Sequence, residues 1–228
     1  IPLSQMVRAK ADAYEVAWFK KRRSVSAEAI ARHGASIAIT EADTRLMREI
    51  QNGIKEQFFT FLKANPSKNK GAGLQGALSQ AWAKIATFNE FEGSPIVSFV
   101  SPADVATYLG GASVGADASN VFGMTLLKNF LGMQNVIVMN GVPEGKVYTT
   151  AIENLVFANL NVSSGDLGGL FADFTDETGL IAVARDRALK NLTYESVFFG
   201  ANVLFAEIPQ GVVETTIEKA APAAVPGG

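Results

Sequence analysis

Three features of the 228-residue chain predict an α+β fold. They are one long helical pattern near the start, helix and strand signals alternating through the middle, and strand signals gathered in the last third. The helical pattern is the run TEADTRLMREIQNGIKEQFFTFLKAN at 40–65. Leu46, Ile50, Ile54, Phe58 and Phe61 or Leu62 recur every three or four residues, which stacks them on one face of a 3.6-residue helix. Thr40 stands where a cap is needed, with Asp43 three residues on, and Pro66 ends the run. At 1.5 Å per residue the helix, expected at 41–64, is on the order of 35 Å long, enough to act as a spine. Gly53 costs roughly 1 kcal/mol in a helix interior, so a close neighbour is expected there.

Before the spine, strand-like alternation at 13–19 has no apolar partner nearby and reads as one arm of a hairpin whose other arm is missing. Ser26-Ala27-Glu28-Ala29 has the form of a capped helical turn that Gly34 ends, and Ile37-Ala38-Ile39 is read as a short segment leading into the spine. After it, 67–73 is rich in Lys, Asn and Gly and is read as a hinge. A second amphipathic helix follows at 74–87, with Leu74, Leu78, Trp82 or Ala81, and Ile85 on one face. The strand at 95–100 leads into a helix that Ser101 caps and Pro102 opens, running to Leu109. A Gly/Ala/Ser loop is expected at 110–119, strands at 135–139, 146–150 and 154–159, and a loop at 161–169. Longer strands are expected at 179–185, 193–207 and 212–217, and a disordered low-complexity tail at 220–228.

Apolar residues make up 48% and charged residues 18%, which provides for a sizeable core and leaves less charge than a surface facing only water carries. The net charge of −2 is unevenly placed. Residues 1–34 carry seven basic and three acidic side chains, a net of +4, which leaves −6 on the rest. Opposite charge in two parts of one chain suits a head-to-tail contact between copies, and a solvated basic loop accounts for it equally well. Cysteine is absent, which removes disulfides, thiol nucleophiles and thiolate metal sites. No apolar run approaches the ~20 residues that cross a bilayer, and neither a signal peptide nor a membrane partner is expected.

Catalytic patterns are missing. The single histidine, His33, stands beside Gly34 with no second imidazole or thiol for a metal site or a triad. Asp173, Asp176 and Glu177 fail the EF-hand spacing and read as capping acids of a turn. Gly141 to Lys146 ends in Gly-Lys, but it lacks phosphate-loop spacing, and Val147 stands where a hydroxyl would hold magnesium. Trp18-Phe19-Lys20-Lys21-Arg22-Arg23 interleaves aromatic and basic side chains as some nucleic-acid binders do, yet the chain as a whole is acidic. No cofactor is expected, and the chain is read as not an enzyme.

The order of several stretches resembles the major capsid (head) proteins of tailed bacteriophages, with the HK97-like fold. The similar stretches are Ile1-Pro2-Leu3-Ser4, AYEVAWFKKRRSVSAEAIARHG, the spine, GLQGALSQAW, Val97-Ser98-Phe99-Val100-Ser101-Pro102, FLGMQNVIVMNGVPEGKVYTTAIENLVF and DETGLIAVARDRALKNLTYESVFFGANVLFAE. The amino-terminal arm, the outgoing half of the extended loop and any scaffolding segment have no counterpart within residues 1–228.

The resemblance implies a shell subunit. Residues 1–34 would be the returning arm of the extended E-loop. Residues 35–70 and 160–203 would form the peripheral (P) domain with the spine, and 71–159 and 204–219 the axial (A) domain. Copies would assemble into pentamers and hexamers of a closed icosahedral head, made in the host cytoplasm. The head would hold double-stranded DNA non-specifically and meet scaffolding, portal or decoration proteins. The loops at 110–119 and 140–145 would lie near the symmetry axis. Val16, Trp18, Phe19, Lys20, Lys21, Arg22 and Arg23 are the candidate subunit contacts. Some members join a Lys to a neighbour's Asn; Lys10, Lys20 and Lys21 lie on the matching element, spacing identifies no acceptor, and no such bond is predicted. Two alternatives are an encapsulin-type compartment shell and a small α+β enzyme using Asp173, Asp176 and Glu177 with Arg185.

Overall fold

The computed structural model describes residues 14–111, 117–121, 124–162, 169–176 and 178–219. The tail at 220–228, Lys10 and Glu177 lie outside these residues, as do parts of the loops expected at 110–119 and 161–169. In chain order the elements are β1 (Ala17–Ser26), α1 (Ala27–His33), α2 (Ala35–Ala64), β2 (Ser67–Ala72), α3 (Gly73–Ala86), β3 (Ile96–Val100) and α4 (Pro102–Gly111). Then follow β4 (Asp117–Val121), β5 (Met124–Phe130), β6 (Met133–Val138), β7 (Lys146–Ala151), β8 (Leu155–Asn159), β9 (Phe174–Thr175), β10 (Ala182–Ala188), β11 (Thr193–Ala206) and β12 (Val213–Glu218). The chain divides into two compact units, one built from the described residues up to Met47 with Phe157–Val203, the other from Arg48–Val156 and the residues from Leu204 on. The division falls inside α2, whereas the P and A domains were expected to part at 70/71.

Unit one is organised on a sheet of order β1-β11-β10-β9, antiparallel throughout, with β8 also bonded to β11. Phe198 and Phe199 point to opposite faces and are both buried, so the sheet is covered on both sides there. Phe199 packs with Val162 and Ala182. Ser26 accepts from the Ala29 amide at 3.3 Å and caps α1, which Gly34 ends with φ 83°. The Gly34 carbonyl then accepts from Ala38, so α2 begins at Ala35 rather than at 41, and Ile37 to Ile39 belong to the helix. Thr40 stands inside it and caps nothing.

Unit two is organised on a sheet of order β2-β12-β7-β3-β6-β5-β4, in which β2/β12 and β3/β6 are parallel. Phe59 and Leu62 of α2 pack with Phe99, Met139, Tyr148 and Val212. Phe58 meets Phe99 edge-on at 5.0 Å, and Phe59 meets Tyr148 at 5.1 Å. Leu74, Ala77 and Leu78 of α3 pack with Val100, Phe130, Val136 and Val147. Of the two residues read as alternatives on the α3 face, Ala81 is buried and Trp82 is 49% exposed.

Three other expectations are corrected. The hinge at 67–73 is strand β2, because a chain rich in Lys and Asn suits a sheet edge once acidic residues stand opposite. Hairpin β4–β5 was not expected, since adjacent Leu126 and Leu127 blur the two-residue period. No close neighbour explains Gly53: a methyl group added there meets nothing within 4 Å in the described chain.

Candidate subunit-contact surface

The stretch read as an arm lacking its partner has one far along the chain. β1 pairs with β11 over its whole length, from Ala17 opposite Asn202 to Ser26 opposite Thr193. Strand alternation therefore separates the candidates by face: Trp18, Lys20 and Arg22 on one side, Phe19, Lys21 and Arg23 on the other. Phe19 is half-buried and lies over Gly200, where any side chain would collide with its ring and with the Leu180 carbonyl. Arg23 donates to the Ala42 carbonyl at 3.2 Å, and Arg22 is bridged to Glu195 at 2.7 Å. Both arginines thus have partners within unit one. Trp18, 48% exposed, carries the Lys20 ammonium 5.3 Å from its ring centroid, and Val16 is 41% exposed. Val16, Trp18 and Lys20 stand exposed along one side, and Lys21 and Arg22 are exposed as well.

The face bearing Trp18 has an apolar depression of about 410 Å³ floored by Ala184, Val197 and Phe199 and flanked by Phe171. At the β10–β11 turn Leu189 and Leu192 are also largely exposed, Leu192 with a φ of 49°. Bulky side chains are rare in that region of backbone space.

Two of the acids considered for catalysis, Asp173 and Asp176, are structural. Asp176 accepts from the Leu180 and Ile181 amides at 3.0 and 2.9 Å, and Asp173 accepts from the Arg185 amide. The Arg185 guanidinium is bridged to Asp43 at 2.6 Å and lies 4.5 Å from the Phe174 ring centroid. Asp173 and Asp176 therefore cap a turn instead of converging on a cleft. His33 is the exposed last residue of α1. Among the described residues no group of three His, Asp or Glu could hold a metal ion, and no helix is long and apolar enough to cross a membrane.

One charged cluster in unit two escaped the sequence reading. Glu214 of β12 is buried, and one carboxylate oxygen takes Lys68 and Lys146, each at 2.9 Å. Its other oxygen accepts the Tyr148 hydroxyl proton at 2.7 Å. Burial pushes the Glu214 carboxyl up, but the lysines and Tyr148 outweigh it and hold the group at about 2. Burial and the bond to Glu214 raise the Tyr148 phenol. With both oxygens engaged, the cluster ties β2, β12 and β7 together and leaves no open position for chemistry. The signal was Lys68 and Lys70 alternating on one strand, matched by Glu214 and Glu218 on another; Lys70 pairs with Glu218 at 3.1 Å.

No protein-family model and no curated protein matches the chain. Solved structures do. Over 93% of this chain and 78% of the other, it is similar to the SrpI encapsulin complex of Synechococcus elongatus, with TM-score 0.56 and 13% identity. The capsid of an empty GTA particle matches over 96% and 81% at TM-score 0.55 and 10% identity. A structure from Mycobacterium phage Che8 matches over 91% and 76% at TM-score 0.52 and 12% identity. Likeness at such identity is a likeness of backbone, and it extends over both units and the helix that passes through them. The chain has the HK97-like fold shared by these capsid and encapsulin proteins.

Proposed function

We propose that the chain is a capsid-type shell subunit and, more narrowly, a phage-type major head protein that builds pentamers and hexamers of a closed icosahedral shell around double-stranded DNA. The observation that carries this reading is the match of 91–96% of the chain to an encapsulin, a GTA capsid and a phage structure. In this reading unit one is the P domain, unit two the A domain and α2 the spine. The outward residues of β1 are a contact between copies, as their exposure in the single chain supports. Burying the exposed half of Trp18 and Val16 against a neighbour contributes roughly 1 kcal/mol each, at the upper end of the about 0–1 of an exposed ion pair. Repetition by symmetry makes such contacts sufficient for a shell. Scaffolding, portal or decoration proteins would be further partners, and the virion the location.

The test is size. Full-length protein should run and image as closed particles of many subunits, and a monomer persisting at high concentration overturns the reading. Trp18→Ser should reduce particle yield while leaving subunit melting within about 0.5 kcal/mol of the parent. An encapsulin-type shell is the second reading, favoured by the encapsulin match. Nuclease-protected DNA inside purified particles supports the head protein, and enclosed protein cargo supports the encapsulin.

A further inference from the structure

We propose that Asn140 is a site of spontaneous deamidation, a chemical modification of unit two that needs only water. The chain has two Asn-Gly dipeptides, Asn52-Gly53 and Asn140-Gly141. Asparagine is a labile residue, most of all before glycine, where no Cβ stands in the way of the attacking backbone nitrogen. The two dipeptides lie in opposite settings. Asn52-Gly53 sits in the interior of α2, where the Gly53 amide is a donor in the helical ladder. Asn140-Gly141 is exposed at the tip of a turn, which the Val142 amide closes by donating to the Met139 carbonyl at 3.2 Å. Among the described residues neither the Asn140 side chain nor the Gly141 amide has a hydrogen-bond partner.

In the reaction the Gly141 nitrogen gives up its proton and bonds to Asn140 Cγ. The bond from Cγ to the side-chain nitrogen breaks, and that nitrogen leaves with a proton as ammonia. Water then opens the cyclic succinimide at either carbonyl, leaving Asp or its β-linked isomer, and nothing is oxidised or reduced. Ring closure requires Asn140 ψ to turn until the Gly141 nitrogen reaches Cγ. At the turn that motion strains a single bond of 3.2 Å, whereas at Asn52 it must break into a continuous helical ladder. Packing favours glycine at 141, since a Cβ there would stand 3.3 Å from the Met139 methyl and 3.5 Å from the Phe59 ring. The close approach that seats the turn on α2 thus also keeps Asn140 beside the residue type that speeds its reaction. The new carboxylate would join a groove of about 760 Å³ whose lining includes Asn140, Lys55, Glu56 and Lys63, and would make its charge more negative.

The test is peptide mass mapping of the full-length folded protein after incubation in mildly alkaline heavy-oxygen water, which labels the hydrolysed product. Conversion at Asn140 should exceed that at Asn52 by about tenfold or more, because Asn52 reacts only when the helix interior opens. In urea the helix is lost, and the two rates should converge. Gly141→Ala should slow conversion at Asn140 in the folded protein by about tenfold, since a Cβ then hinders ring closure. An Asn140 rate no higher than that of Asn52 in the folded protein overturns the proposal. So does an Asn140 rate that Gly141→Ala leaves unchanged, or a preference for Asn140 that persists undiminished in urea. Each of these results concerns unit two alone and leaves the shell reading as it stands.

Discussion

Unit two buries most of its large apolar side chains, whereas unit one leaves many of its own exposed. Among the described residues of unit two, the faces of the sheet meet α2 and α3 through clusters of buried side chains, and the buried Glu214 carboxylate has both oxygens engaged. In unit one the cluster around Val162, Ala182 and Phe199 is small, while Trp18, Phe171, Leu189 and Leu192 stand in solvent. The difference teaches that the two units bury their apolar side chains unequally, and in the shell reading the exposed apolar surface of unit one is where a neighbouring copy would sit.

The comparison can be broken most directly at the centre of unit two. Leu78→Ala, at a fully buried site shared by α3 and the sheet, should cost about 2–5 kcal/mol in urea unfolding of the unassembled subunit. A loss under about 1 kcal/mol would mean that this core is not where stability resides.

Next comes Glu214→Gln, expected to cost about 1–3 kcal/mol at neutral pH by removing the buried charge that Lys68, Lys146 and Tyr148 share. The carboxyl is held at about 2 when folded, below the ordinary 4.5, so its contribution is whole above pH 4.5 and disappears as pH falls toward 2. The stability gap between parent and variant should therefore close across that window in acid titrations of melting temperature. A gap independent of pH would show that the cluster works through packing alone.

In unit one, Gly200→Ala should cost about 1–3 kcal/mol, because the methyl group collides with the Phe19 ring and the Leu180 carbonyl. Faster hydrogen exchange of the β1 amides would accompany it, and unchanged exchange would separate β1 from the stability of its sheet. The smallest effect is a gain. Gly53→Ala should stabilise the isolated subunit by roughly 0.5–1 kcal/mol, since nothing within 4 Å opposes a methyl group in the helix interior. A gain in the subunit with lost particle yield would point to a neighbouring copy at Gly53.

Much of the local structure was legible because its causes are local. Ser26 and Gly34 bound α1, Pro102 opens α4, and Leu46, Ile50 and Leu62 of the spine are buried as their spacing required. Which of the contact candidates take partners inside unit one was not legible, because Arg22 and Arg23 meet Glu195 and Ala42, which no reading of residues 17–26 alone reveals. β2 was misread for the same reason, since a Lys/Asn stretch is a loop or an edge strand according to what lies beside it.

The sequence by itself determined the mixed fold class, the long helix, the absence of thiol chemistry and the unequal distribution of charge, since these follow from residue type, spacing and count. Only the tertiary structure decided that β1 lies along β11, that α2 is divided between the two units, and that Glu214 gathers two lysines and a tyrosine. Those outcomes depend on pairings between residues far apart in the chain. Such pairings are selected by the burial and charge of the assembled whole, which no local window contains.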